Sequence, residues 1–200
     1  MSGVTERRTQ VERRAEAERR LLEAAMELVA ERGVRAVTLA AVGERAGYSR
    51  GLVTHHFGNR QGLLDALTRE LQRRVRTPET DSTGLTRLLE LVDAYLDDLH
   101  SRALAARVFL VLWAEAITAE TDLRPAFASR DASFRATLEE CLREGIAAGE
   151  IRPELDPEAV AHAIVGQLRG TSLQILSVED ADLERVRRSV LVLLERGLRA

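Results

Sequence analysis

Residues 38–57 read TLAAVGERAGYSRGLVTHHF, and this stretch decides the fold. Thr38 and Ser49 each carry a short hydroxyl side chain of the kind that satisfies the orphan N–H groups at a helix start. Between them Gly47 supplies the permissive backbone of a tight turn. The spacing predicts one short helix from Thr38 to about Ala46 and another from Ser49 to near Phe57, joined as a helix-turn-helix. Such a unit lets its second helix enter a major groove roughly 12 Å wide while the first crosses the backbone. On that second helix Arg50, Thr54 and His55 fall outward at helical spacing, whereas Leu52 or Val53, together with Phe57, fall inward. An ordinary small helical bundle would place its caps and turn in the same way, so spacing alone leaves two readings.

Working outward, apolar residues recur at helical intervals almost everywhere and clean alternation with period two is absent, which predicts an all-α protein. A first helix runs from roughly Glu12 to Arg32 with Leu21, Ala25, Leu28 and Val29 on one stripe, and Gly33 stands where a left-handed cap belongs. After Gly58, Asn59 caps a longer helix marked by Leu63, Leu67, Leu71 and Val75. Residues 77–84, TPETDSTG, have the composition of a loop. They divide an N-terminal helical domain, residues 1–76, which is the DNA-binding one on the helix-turn-helix reading, from a larger helical domain, residues 85–200. In the latter Leu85 to Leu99 reads as amphipathic, and Ala103 to Ile117 is apolar on nearly all sides, as a helix surrounded by others would be. A long helix spans about Phe127 to Ala148, with Gly149 near its end. Asp156-Pro157 opens a helix through about Leu176, and Asp180 begins a last one carrying Leu183, Val186, Val190 and Leu194.

Charge supports the same division. Residues 1–76 hold 15 Arg and 10 Asp or Glu, a net +5; residues 77–200 hold 14 Arg and 22 Asp or Glu, a net −8. The basic front is where a phosphate backbone would bind, and the acidic remainder is not. The 45% apolar content of 200 residues suffices for a core without disulfides or metal. A single cysteine, Cys141, excludes an intrachain disulfide and any multi-cysteine metal site. It lies on an apolar stripe and reads as a small buried hydrophobe. With an Arg- and Glu-rich N-terminus and no apolar run near 18 residues, the expectation is a cytoplasmic protein with no membrane contact.

The wider stretch ERRLLEAAMELVAERGVRAVTLAAVGERAGYSRGLVTHHFGNRQGLLDAL, residues 18–67, resembles the N-terminal domain of the tetracycline-repressor (TetR) family. The likeness includes Glu31-Arg32-Gly33, the Thr38 cap, Arg45-Ala46-Gly47, Ser49, Gly51, the His55 to Phe57 ending, and Leu63 and Leu64. It implies a homodimeric bacterial regulator, usually a repressor, that binds a palindromic operator in double-stranded DNA. Its divergent C-terminal domain, here including GEIRPELDPEAVAHAIVGQLRGTSLQIL, would bind an unidentified small-molecule effector. The resemblance places Thr38 at the phosphate-touching start of the first motif helix and Ser49, Arg50, Gly51, Thr54 and His55 on the reading helix. Arg60 opens the next helix where the family usually has Lys and keeps the positive charge near a helix N-terminus, where phosphate is already favoured, and Thr54 and His56 stand where many members have Tyr. Leu52 either meets a thymine methyl or packs inward. The last two helices would form a four-helix dimer interface, with apolar faces at Val160, Ile164 and Leu168 and at Val186, Val190 and Leu194.

No catalytic constellation surrounds Glu115 or Glu139-Glu140, so enzymatic activity is not expected, and neither is a cofactor. His55-His56 does not make a metal pair, because adjacent helical side chains diverge by roughly 100° and no Cys or carboxylate completes the site. Arg7-Arg8, Arg13-Arg14 and Arg19-Arg20 form either an arm that follows DNA or a solvated tail. In the second domain Phe109, Trp113, Phe127 and Phe134 either line an effector pocket or are plain core. Gln167 and Arg169, within an otherwise apolar helix, orient a polar ligand group or satisfy a partner subunit, and Arg169 would favour an acidic effector.

Overall fold

A computed structural model describes residues 10–74, 78, 80–101, 103–118, 123–178 and 180–200, with residue 100 by its backbone alone. Among these residues nine α-helices account for most of the chain, and the one β pairing is an isolated antiparallel bridge between Ile151 and Arg199. The chain forms two compact units, residues 1–71 and 72–200.

The first unit contains α1 (Gln10–Arg32), a short 3-10 turn (Val34–Ala36), α2 (Leu39–Ala46), α3 (Arg50–Phe57) and the greater part of α4 (Arg60–Arg74). The predicted stripe of α1 is fully buried: Leu21, Ala25, Leu28 and Val29 expose 2% or less. Val37, Val42, Val53, Leu63 and Leu67 from the following elements expose nothing. A buried side chain of this size contributes about 1.5–3 kcal/mol, so this small core is what fixes the short helices. Gly33 departs from expectation. Its φ of 78° is positive, but its ψ of 174° is extended rather than left-handed helical, so the chain is thrown into the 3-10 turn and does not curl back on α1. Val75 lies outside the described residues.

The second unit contains α5 (Gly84–Ser101), α6 (Ala103–Thr118), α7 (Arg124–Ala147), α8 (Pro157–Ser177) and α9 (Leu183–Leu198). α5 packs on α7 and α9, α7 packs on α8, and α6 lies against α5, α7 and α8. Their shared core includes Leu88, Val92 and Leu96 of α5, Leu138, Cys141 and Leu142 of α7, Ile164 and Leu168 of α8, and Val190 of α9. Gly84, with φ 57°, and Gly145 permit the close approach of α5 and α7: a Cβ on Gly84 would stand 3.1 Å from the Gly145 Cα. After α7, Arg152 N donates to Leu198 O and Ala200 N to Glu150 O, each at 3.0 Å, tying the chain's end to the α7–α8 connection.

Three expectations for this unit need correction. α6 is not enclosed on all sides, because Leu104 and Ile117 are 44% and 49% exposed while Val108, Leu112 and Ala116 are buried. The cap of α9 is Asp182, whose carboxylate accepts from Arg185 N at 2.9 Å, and not Asp180, which stands too far ahead to reach the free N–H groups of the first turn. The apolar faces assigned to a dimer interface point inward: Ile164, Leu168 and Val190 belong to the buried core, and Val160, Val186 and Leu194 pack against it. Each helix carries two apolar stripes, and the chain's own core takes the more continuous one. What remains outside is Leu173 on α8 and Val192 and Leu193 on α9, exposed by 46%, 44% and 64%.

Candidate nucleic-acid interface

Both predicted caps form. Thr38 Oγ1 accepts from Ala41 N at 3.1 Å and Ser49 Oγ from Leu52 N at 3.2 Å. Because each hydroxyl acts as acceptor within the chain, its proton stays available to an outside acceptor such as a phosphate oxygen. Gly47 is left-handed helical (φ 74°, ψ 28°), which an L side chain tolerates poorly. The turn then closes with Tyr48 N donating to Gly43 O at 2.8 Å. Gly43 went unnoticed in the sequence. A Cβ there would lie 2.8 Å from the Tyr48 carbonyl and 3.3 Å from Arg50 N, so only glycine lets α2 sit this close to the start of α3. A glycine inside a predicted helix was the signal for it.

On α3 Val53 is fully buried and anchors the helix, while Arg50, Gly51, Thr54 and His55 are exposed and Leu52, His56 and Phe57 are half-buried. Thr54 Oγ1 donates to Arg50 O at 3.0 Å, so its proton is already used and a phosphate contact would require rotation about χ1. At Gly51 an added Cβ would meet only Ser49 Oγ, at 3.7 Å, and nothing inside the chain demands glycine there. Burial, opposed by Glu18 and reinforced by Arg14 and His55, holds the His56 imidazole below its ordinary pKa. Arg60 is not simply a free cation at the start of α4. Its Nε donates to Val37 O and an Nη to Val34 O, each at 2.8 Å, which satisfies carbonyls of the 3-10 turn leading into α2.

Arg45 on α2 grips Glu31 of α1 through two bonds of 3.0 and 2.7 Å and reaches Glu27 at 3.2 Å. The N-terminal arginines are partly committed as well. Arg19 pairs with Glu16 and Glu23, and Arg20 with Glu16, which pulls the Glu16 carboxyl down to about 2. Arg7-Arg8 lie outside the described residues.

In the second unit four of the six residues considered for an effector site converge. Arg169 of α8, 5% exposed, donates from Nη1 to Tyr95 Oη at 2.7 Å and from Nη2 to Asp131 Oδ1 at 2.8 Å. Its guanidinium lies 4.7 Å from the Phe109 ring centre and 5.7 Å from that of Trp113. Trp113 Nε1 donates to the other Asp131 oxygen at 2.9 Å, and Phe134 stacks on Tyr95. Phe127 is core, 2% exposed, with its ring against that of Phe109. Gln167 is half-buried and makes none of these contacts. Tyr95 and Asp131 were missed, as were Arg130, over the Phe109 ring, and Ser172, whose Oγ lies 3.3 Å from Tyr95 Oη. Asp131 was legible, since it interrupts the apolar stripe between Phe127 and Phe134.

Among the described residues no helix is long and apolar enough to cross a membrane, and no three His, Cys, Asp or Glu side chains gather as metal ligands would.

Comparison with known proteins agrees with this geometry. Residues 21–67 match the model described as bacterial regulatory proteins of the tetR family, and residues 84–199 match the BetI-type transcriptional repressor C-terminal model. The HTH-type transcriptional regulator BetI of Stenotrophomonas maltophilia is 35% identical over 47% of this chain, and that of Cronobacter sakazakii 29% identical over 50%. The chain spans about half the length of these curated relatives, 51% and 52% respectively. Among solved structures, the ketosteroid transcriptional regulator KstR2 of Mycobacterium tuberculosis superposes with TM-score 0.74 at 25% identity, covering 94% of this chain and 95% of that one. A transcriptional regulator from Saccharomonospora viridis in complex with choline reaches 0.79 at 23% identity over 93% and 99%, a likeness of fold.

Proposed function

Because the chain belongs to the TetR family of bacterial regulatory proteins and carries the BetI-type C-terminal domain, we propose that it is a homodimeric transcriptional repressor released from a palindromic operator by a small molecule. Residues 1–76 read DNA and residues 85–200 bind the effector and the second subunit. The observation that carries this reading is the pair of capped helices on either side of left-handed Gly47, which presents Arg50, Gly51 and His55 on one exposed surface. Thr38 and Ser49 donate to phosphates from the helix starts, where the backbone already favours an anion. Arg50 and His55 read base edges. The repressing sense follows the description of the C-terminal family model.

The dimer forms through the outer faces of α8 and α9. Gly166 and Gly170 on α8 have open space beside them, which lets a second copy approach closely, and Leu173, Val192 and Leu193 supply apolar surface. Two-fold symmetry then requires half-sites about one helical turn, roughly 34–36 Å, or a multiple of it apart. Effector binding releases DNA by favouring a different spacing of the two reading helices, and it does so only through unequal affinity for the two states.

Selection of bound duplexes from a random pool tests this, repeated with Arg50→Ala and His55→Ala at fixed salt, since phosphate affinity depends on salt. The expected result is a palindrome whose base preferences relax in both variants. Equal enrichment of all sequences would make the chain a non-specific DNA binder and overturn the reading.

A further inference from the structure

The Arg169 cluster holds a buried donor that nothing in it meets. Asp131 spends one oxygen on Arg169 and the other on the Trp113 indole N–H. Arg130, on the same helix as Asp131, places a second guanidinium 4.9 Å from the centre of the Phe109 ring that Arg169 also faces. Burial and the charge of Arg169 both act against protonated Arg130, while Asp131, Tyr95 and Asp98 support it. Arg169 Nε is buried without a hydrogen-bond partner. An unmatched buried donor on a charged group is costly. What this donor lacks is an acceptor, and an anionic oxygen is the strongest one a guanidinium can take.

We propose that Arg169 and Arg130 form the receptor for the carboxylate of a small monoanionic effector whose apolar body packs against Phe109, Trp113 and Phe134. This deepens the reading of residues 85–200 as the effector-binding part and rests on it. Aromatic rings around a cation are also how proteins hold organic ammonium ligands, but here the chain's own guanidinium fills that place. An ammonium ligand would have to displace Arg169 from Asp131 and enter beside Arg130. A carboxylate takes up the free Nε–H of Arg169 without breaking an existing pair, because a guanidinium presents five donors.

Trp113 is the chain's single tryptophan and sits in the cluster, so its emission reports binding directly, with no DNA present. The full chain is titrated with benzoate, phenylacetate and decanoate, with the neutral isostere 2-phenylethanol, and with choline. The expected result is a saturable emission change with at least one carboxylate, at least tenfold tighter than with 2-phenylethanol, and no saturation by choline. Arg169→Gln and Arg130→Gln each weaken the carboxylate at least tenfold, and Asp131→Asn tightens it several-fold by removing the competing anion, an increase that a purely structural role would not produce. Should Arg169→Gln not fold, half-buried Arg130→Gln carries the test. Saturation by choline in preference, no saturable response to any of the three carboxylates, or affinity indifferent to Arg130→Gln overturns the proposal. Failure to select an operator with carboxylate binding intact would instead count against the DNA-binding reading alone.

Discussion

Arg60 donates from Nε to the carbonyl of Val37 at 2.8 Å across 23 residues of sequence. A second bond from the same guanidinium reaches Val34, so the opening residue of α4 holds the backbone immediately ahead of the Thr38 cap. The side chain that the family resemblance placed near phosphate thus also sets where α2 begins. Its planar fork suits two carbonyls at once, which an ammonium does not match.

Arg60→Lys therefore separates the two roles. A pure phosphate contact would survive the change, because the charge is kept. With the fork lost, urea unfolding is expected to show a loss of about 1 kcal/mol, the net value typical of such hydrogen bonds, and operator affinity falls with it. Unchanged stability would leave Arg60 as a simple cation.

Gly43→Ala tests the seam between α2 and α3. The added Cβ would stand 2.8 Å from a backbone oxygen, and backbone cannot step aside as a side chain can. Overpacking of this kind costs about 1–3 kcal/mol. The expected outcome is a lower unfolding midpoint together with loss of the selected palindrome, since α3 is displaced relative to α2.

Leu193→Arg addresses assembly. Leu193 is the most exposed large apolar side chain of α9 and Val192 lies beside it. Sedimentation of the variant is expected to give a monomer, with secondary structure unchanged because the residue lies outside the chain's own core. Val190→Arg, by contrast, would introduce a charge at a position 5% exposed and unfold the second unit. A dimeric Leu193→Arg would place the interface elsewhere.

His56 gives the first unit an acid-side sensitivity. Its folded pKa lies below the unfolded 6.5 because burial disfavours the charged ring. The stability this contributes is present above about pH 6.5 and is lost as pH falls through that value toward the lower folded pKa. Melting temperature is expected to drop more between about pH 7 and pH 5 in the parent chain than in His56→Gln, and parallel profiles for the two would contradict it.

What the sequence determined by itself was everything written in neighbouring residues. Thr38, Gly47, Ser49, Asn59 and Asp156 mark caps and turns whose bonds span two to four positions, and the stripe from Leu21 to Val29 needs only helical periodicity to declare a buried face. The exposed surface of α3 was legible for the same reason, because burying Val53 settles that Arg50 and His55 point outward.

Tertiary structure decided what depends on distant partners. Which stripe of α8 and α9 turns inward is a competition between the chain's own core and the outside, and local pattern does not rank the two. Gly43 matters because a carbonyl five residues on folds back over it, and Arg60 because two carbonyls more than twenty residues earlier lie within its reach. The charged cluster is the extreme case: Arg169 meets Asp131 and Tyr95 across 38 and 74 residues. Its unmet donor, Arg169 Nε, exists only once four helices have brought those groups together and closed water out.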